Sequence, residues 1–101
     1  MKIETQCLHE GYTPKNGEPR VVPIVQSTTY VYDSSREIAE VFDDPTKSLI
    51  YSRFEIPTSD AVEKNIAALE GGAAAMCTSS GQAATLCSIL NICQAGDSFI
   101  A

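Results

Sequence analysis

Two short stretches combine residue types that suit an anion. The first is Ser79-Ser80-Gly81-Gln82, which separates the apolar run Ala73 to Thr78 from a segment, Ala83 to Gln94, that reads as a helix. Free backbone N–H groups at a helix N-terminus, added to the helix dipole, favour a phosphate or another anion. Gly81 lets the backbone approach such a group closely, and Ser80 can donate its hydroxyl. Taken alone, a serine N-cap with no ligand accounts for the same turn. It is neither a Walker loop nor a dinucleotide fingerprint, because GxxxxGK and GxGxxG are both missing. The second stretch is Tyr51-Ser52-Arg53. An arginine holds a phosphate through two parallel hydrogen bonds, and a tyrosine hydroxyl can donate a third. An exposed arginine beside a half-buried tyrosine is the plain alternative.

The remaining candidates carry less. His9 is the single histidine, has no obvious partner and reads as a surface residue. Asp43-Asp44 comes with no matching ligand set and reads as a solvated helix end. Lys15, Asn16, Glu18 and Arg20 read as loop residues. Cys7, Cys77, Cys87 and Cys93 match no zinc-ligand spacing and form no CxxC pair. Three of the four lie in apolar surroundings, where a buried, reduced thiol is expected, as in a reducing compartment. No metal site is expected.

The elements that must position these residues follow from composition and pattern. The chain has 101 residues with 13 acidic and 7 basic side chains, a formal net charge of -6, and a composition 44% hydrophobic and 20% charged. That balance is globular. A pI near 4.5 without a run of Lys or Arg argues against a nucleic-acid or anionic-membrane surface. Gly71 to Gly96 carries no charge, but Thr78, Ser79, Ser80, Gln82, Thr85, Ser88 and Asn91 interrupt it. A membrane span needs about 20 mainly apolar residues. Met1 to Leu8 lacks the apolar core of a signal peptide. The expectation is a cytoplasmic protein whose charge-free stretch is core.

Residues 1–57 are rich in turn-formers. Tyr12 to Arg20 holds two prolines and Asn16-Gly17 and should be loop, while Val21 to Tyr32 should be extended and is broken by Pro23. Asp33-Ser34-Ser35 should cap a short helix with Ile38, Ala39, Val41 and Phe42 as its apolar face, ending before Pro45. This part should be an arm that packs on something else. Residues 58–101 change in character. Thr58, Ser59 and Asp60 offer N-caps, Asp60 and Glu63 have capping-box spacing, and Val62, Ile66 and Leu69 follow at helical intervals. Gly71-Gly72 should stop that helix. Ala73 to Thr78 should be a buried strand, Ala83 to Gln94 a second helix, and Ser98 to Ala101 the start of a second strand. Helix, strand, helix, strand is the opening of an α/β layer with a parallel sheet. Such a layer needs further strands and helices on both faces, so the chain is expected to be part of a larger domain.

Order and spacing add what the single pieces lack. Tyr51-Ser52-Arg53 followed by Pro57-Thr58, a helix ending Ala67-Ala68-Leu69-Glu70-Gly71-Gly72, and then Ser79-Ser80-Gly81-Gln82-Ala83-Ala84 resembles the pyridoxal-phosphate (PLP) enzymes of cysteine and methionine metabolism. The resemblance covers nearly the whole chain. His9 to Tyr12, Pro14 to Arg20, and Val22-Pro23-Ile24 with Gln26 to Tyr30 are most similar to the O-acetylhomoserine sulfhydrylases of that family.

The resemblance implies the N-terminal portion of an aspartate-aminotransferase-like, fold type I PLP enzyme. Residues 1–57 would be an arm making inter-subunit contacts, and residues 58–101 the start of the PLP-binding large domain. It implies that Tyr51 and Arg53 reach across a dimer interface to the cofactor phosphate of the neighbouring subunit, where Tyr51 also assists proton removal. It implies that Ser80, Gly81 and Gln82 contact the phosphate of their own subunit's PLP. The family usually has asparagine where this chain has Ile56, which cannot supply an amide's hydrogen bonds. The Schiff-base lysine of such enzymes lies far beyond the SSGQ turn, whereas Lys2, Lys15, Lys47 and Lys64 all precede it, so these 101 residues alone should be inactive. The implied activity is exchange of the acetoxy group of O-acetylhomoserine for sulfide or a thiol in a homo-oligomer, a dimer of dimers. Cystathionine γ-synthase, γ-lyase and methionine γ-lyase share the motifs. A non-enzymatic piece that binds an anion or a partner chain is the reading from a different class.

Overall fold

The computed structural model describes residues 1–44 and 48–100. Four helices follow one another: α1 (Ile3–His9), α2 (Ser35–Asp43), α3 (Pro57–Glu70) and α4 (Gly81–Ile92). Among the described residues there is no strand, and the sole bridge is an isolated antiparallel one between Thr29 and Tyr51. The expected strands over Ala73 to Thr78 and Ser98 onward therefore do not form ladders; Ala101 lies outside the described residues. A strand exists only by hydrogen bonding to a neighbour, and no described segment forms ladder hydrogen bonds with these two.

Helix α3 organises the rest. It starts at Pro57, with Ile56 as an N-cap that makes no side-chain bond, where the expectation had Thr58, Ser59 or Asp60. The displaced candidates are used elsewhere. Thr58 Oγ1 accepts from the Val25 N–H at 2.9 Å and donates to the Pro23 carbonyl at 3.3 Å, so it ties the extended Pro23 region to the helix start. Asp60 pairs with Lys64 one turn on, at 2.6 Å, instead of closing a capping box with Glu63. The helix ends as expected. Gly71 has φ 64°, its N–H reaches the Ala68 carbonyl, and the Gly72 N–H reaches the Ala67 carbonyl at 2.9 Å. These are the paired bonds of a Schellman motif.

Helix α1 is not visible in the sequence pattern. Seven residues are too few for a stable isolated helix, and none of them is buried. It persists because it lies on α3, the one pair of helices in contact among the described residues. Asn65 Nδ2 donates to the carbonyls of Gln6 and Glu10 at 3.1 and 3.0 Å, so it caps the last turn of α1. Gly11, at φ 87°, passes so close to α3 that a Cβ would sit 2.1 Å from the Ala61 carbonyl oxygen. The packed face of α3 is thus Ala61 and Asn65. The expected apolar row is offset by one position, and Val62 and Ile66 remain 50% and 47% exposed.

Helix α2 follows its sequence signals. Ser34 Oγ accepts from the Glu37 N–H, and Glu37 reaches back to the Asp33 N–H at 3.2 Å. Val41 is buried and Ile38 half-buried, but Ala39 and Phe42 are exposed. Pro45, expected to follow the stop, lies outside the described residues.

Little is enclosed. Val41 and Ala61 are the buried hydrophobic residues among those described. The accessible surface is 8525 Å², whereas a self-contained monomer of this mass exposes about 5,500 Å². The Cα radius of gyration is 17.2 Å, against about 13 Å for a compact domain of this length. The cysteines share in this: all four are free, and Cys7, Cys77 and Cys87 are exposed where buried thiols were expected. Helix α4 packs on no other described helix; Cys87 borders a depression with Ala74, Met76 and Thr78, while Leu86 and Leu90 are 56% and 66% exposed. No helix among the described residues is long and apolar enough to cross a membrane.

Candidate functional site

The SSGQ turn is built by its own side chains. Ser80 is the N-cap of α4, with extended backbone (φ -162°, ψ 159°). Its Oγ accepts from the Ala83 N–H at 3.1 Å, its carbonyl accepts from the Ala84 N–H at 3.1 Å, and Thr78 Oγ1 donates to that carbonyl at 2.9 Å. Two donors of the first turn are therefore used, while the N–H groups of Gly81 and Gln82 make no hydrogen bond among the described residues. A Cβ on Gly81 would meet nothing within 4 Å, so the backbone there lies open. The first turn holds no acidic residue to neutralise the positive end of the dipole. Further along, Thr85 and Ser88 donate their hydroxyls to carbonyls one turn back, at 3.1 and 2.8 Å. That lets a helix bearing a polar row face apolar surroundings.

Tyr51 and Arg53 form the second group. The Ser52 N–H donates to the Thr28 carbonyl at 3.0 Å, and the N–H groups of Phe54 and Glu55 both donate to the Tyr51 carbonyl, which closes a tight turn. Tyr51 is half-buried, with the Phe54 ring edge-on to it at 6.3 Å. The guanidinium of Arg53 lies 5.2 Å from the Tyr51 ring centroid, within cation–π range. Arg53 is exposed and enters no ion pair; the pairs among the described residues are Arg36–Glu40 and Lys64–Asp60. Its donor fork is available to an external anion.

The structure thus brings Tyr51 together with Arg53, and Ser80 with Gly81 and Gln82, but no hydrogen bond or ring contact joins the two groups. Their supports do converge. Arg53, Ile56, Asp60, Glu63 and Cys77 line one depression between the YSR turn and the segment that leads into SSGQ. Glu63 accepts from the Cys77 N–H at 2.7 Å. Glu63, Thr58 and Asn65 were missed as site supports, although the first two stood out as capping residues. His9 is exposed at the end of α1, and no described group of three or more His, Cys, Asp or Glu could hold a metal.

Comparison with known proteins gives a consistent result. The family model described as Cys/Met metabolism PLP-dependent enzyme matches residues 4–101. The chain is 43% identical to the O-acetyl-L-homoserine sulfhydrylase of Leptospira meyeri, a match covering 100% of this chain and 23% of that protein. It is 44% identical to O-acetyl-L-homoserine sulfhydrylase 1 of Thermus thermophilus, over 99% of this chain and 24% of that protein. A crystal structure of a candidate O-acetylhomoserine (thiol)-lyase from Campylobacter jejuni, carrying N'-pyridoxyl-lysine-5'-monophosphate, superposes with a TM-score of 0.80 at 34% identity. That match covers 96% of this chain and 24% of the other. The chain spans about a quarter of the length of the curated relatives it matches.

Proposed function

The chain belongs to the Cys/Met metabolism PLP-dependent enzymes, and from that premise we propose that it supplies the phosphate-holding elements of an O-acetylhomoserine sulfhydrylase. The whole enzyme would replace the γ-acetoxy group of O-acetylhomoserine with sulfide or a thiol, giving homocysteine or methionine and acetate. Bound PLP supplies the electron sink for that chemistry.

The observation that carries the reading is the pair of free N–H groups at Gly81 and Gln82, on an open helix N-terminus without acidic residues. These residues fit a phosphate dianion. Ser80 keeps its hydroxyl proton to donate, since its Oγ only accepts within the turn. Gly81, Gln82 and Ser80 would hold the phosphate of their own subunit's cofactor. Tyr51 and Arg53 would serve the neighbouring subunit's, which accords with their separation from SSGQ within one chain. The guanidinium lies over the tyrosine ring, so a cationic fork and a phenolic donor are presented from the same turn. In the assembled enzyme Tyr51 would also help to remove a proton from the incoming amino acid. The fold type I architecture, with strands over Ala73 to Thr78 and Ser98 onward, would be completed by pairing with sheet neighbours, and the arm would be covered by a partner subunit. The excess surface favours this over a free-standing anion-binding module.

The test is Arg53→Ala in the complete protein, with PLP affinity measured by fluorescence titration. Loss of a charge-assisted contact to phosphate should raise the PLP Kd about tenfold or more. An unchanged Kd would count against the phosphate role of the YSR turn.

A further inference from the structure

We infer that Glu63 is a positioning residue for the phosphate turn, acting through the backbone N–H of Cys77; this rests on the assignment of Ser80, Gly81 and Gln82 to the cofactor phosphate. The segment from Ala73 to Thr78 joins the end of α3 to that turn and has no strand partner among the described residues. One hydrogen bond ties its backbone to the rest of the chain: the Cys77 N–H donates to Glu63 Oε1 at 2.7 Å. The short length and the ionised acceptor mark it as a charge-assisted bond, roughly twice as strong as a neutral one.

The tie is placed where it can act on the site. Glu63 is half-buried in the middle of α3, whose first turn is itself held by Thr58 to the Pro23 region. Immediately after Cys77, Thr78 donates its hydroxyl to the Ser80 carbonyl, and Ser80 Oγ caps the Ala83 N–H. These hydrogen bonds, joined through the backbone, lead from α3 to Ser80 and Ala83, which flank the two free donors of Gly81 and Gln82. Each link fixes one residue of a stretch that would otherwise swing about Gly72. Glu63 also borders the depression lined by Arg53 without pairing with it. Its carboxylate is thus committed to the Cys77 amide and leaves the guanidinium free.

The experiment compares wild type, Glu63→Ala and Glu63→Gln in the complete protein. In the cofactor-free form, amide hydrogen exchange at Cys77, and at Ala83 under the Ser80 cap, reads the tie directly. With PLP added, the Kd and the ³¹P chemical shift of the bound phosphate read its effect on the site. Glu63→Ala should speed exchange at Cys77 and Ala83, raise the PLP Kd about tenfold to a hundredfold, and move the ³¹P resonance. Glu63→Gln keeps an acceptor oxygen but not the charge, so it should fall between wild type and alanine in each readout. Unchanged exchange in Glu63→Ala overturns the inference, as does a Glu63→Gln variant no better than alanine. A wild type that binds no PLP would instead sink the functional reading, and the exchange data would still decide the role of Glu63. Circular dichroism distinguishes a failure to fold, in which case the glutamine variant carries the comparison.

Discussion

Replacing Asn65 with alanine should release the N-terminal helix while leaving α3 intact. The side chain makes two bonds to α1, from Nδ2 to the carbonyls of Gln6 and Glu10. The Gln6 carbonyl keeps a second partner in the Glu10 N–H at 3.0 Å, but the Glu10 carbonyl loses the one side-chain donor that reaches it. At about 0.5–1.5 kcal/mol net for each neutral bond, the loss is about 1–3 kcal/mol. Helix α1 cannot absorb this, because seven residues do not hold a helix by themselves. The docking equilibrium should therefore shift about 5- to 150-fold towards the open arm. Amide hydrogen exchange over Gln6 to Gly11 measures that shift, since those amides are protected only while α1 is formed and docked. Asn65→Asp should do at least as much damage, because a carboxylate has no donor for two carbonyls. Protection at Gln6 to Gly11 that is unchanged in both variants would refute the assignment of Asn65 as the clasp.

Two further outcomes follow from the same geometry. Gly11→Ala forces a side chain into a positive-φ residue, which costs about 1–2 kcal/mol, and sets its Cβ against the Ala61 carbonyl. A lower Tm, together with fast exchange in α1, is expected; a wild-type Tm would show that the close approach to α3 is not maintained in solution. Lys64 has its pKa raised above the ordinary 10.5, chiefly by the hydrogen bond from its ammonium to Asp60. Its contribution is therefore complete below the unfolded value and is lost as pH rises through the elevated folded one. Because the Lys64 side chain is 63% exposed, the pair is worth about 0.5 kcal/mol or less. A Lys64→Met variant should be slightly less stable than wild type near pH 8, and the gap in chemical denaturation should close at strongly alkaline pH.

Some of this was legible from residue order because the relevant physics is local. Ser34 and Ser80 cap helices in the structure as their positions suggested, and Gly71-Gly72 ends α3 through bonds that reach only three to five residues back. The free donors at Gly81 and Gln82 follow from the same local rule. What escaped was tertiary. Thr58 and Glu63 look like capping residues, yet one bonds a segment more than thirty positions upstream and the other a segment downstream. Helix α1 has no periodic signal of its own, and Asn65 reads as an ordinary polar residue of a helix surface until the Gln6 and Glu10 carbonyls arrive beside it. Strand pairing over Ala73 to Thr78 was expected from the apolar run, but an apolar run records only a tendency to be buried. No described segment supplies the neighbour that would turn it into a ladder.

The α1–α3 clasp also sets an order of events during synthesis. Its hydrogen bonds join residues 55 and 59 positions apart, and closing a loop of that length costs about 3.5 kcal/mol beyond the length-independent part. Helix α1 is synthesised before α3 and must therefore wait for its support. At about 5–20 residues per second, Asn65 is polymerised roughly 3–11 seconds after Glu10. For that interval α1, Val22 and the Val25 N–H have no α3 to meet. The beginning of this chain is accordingly a late-folding element, exposed to chaperones and proteases until the helix that follows it has emerged.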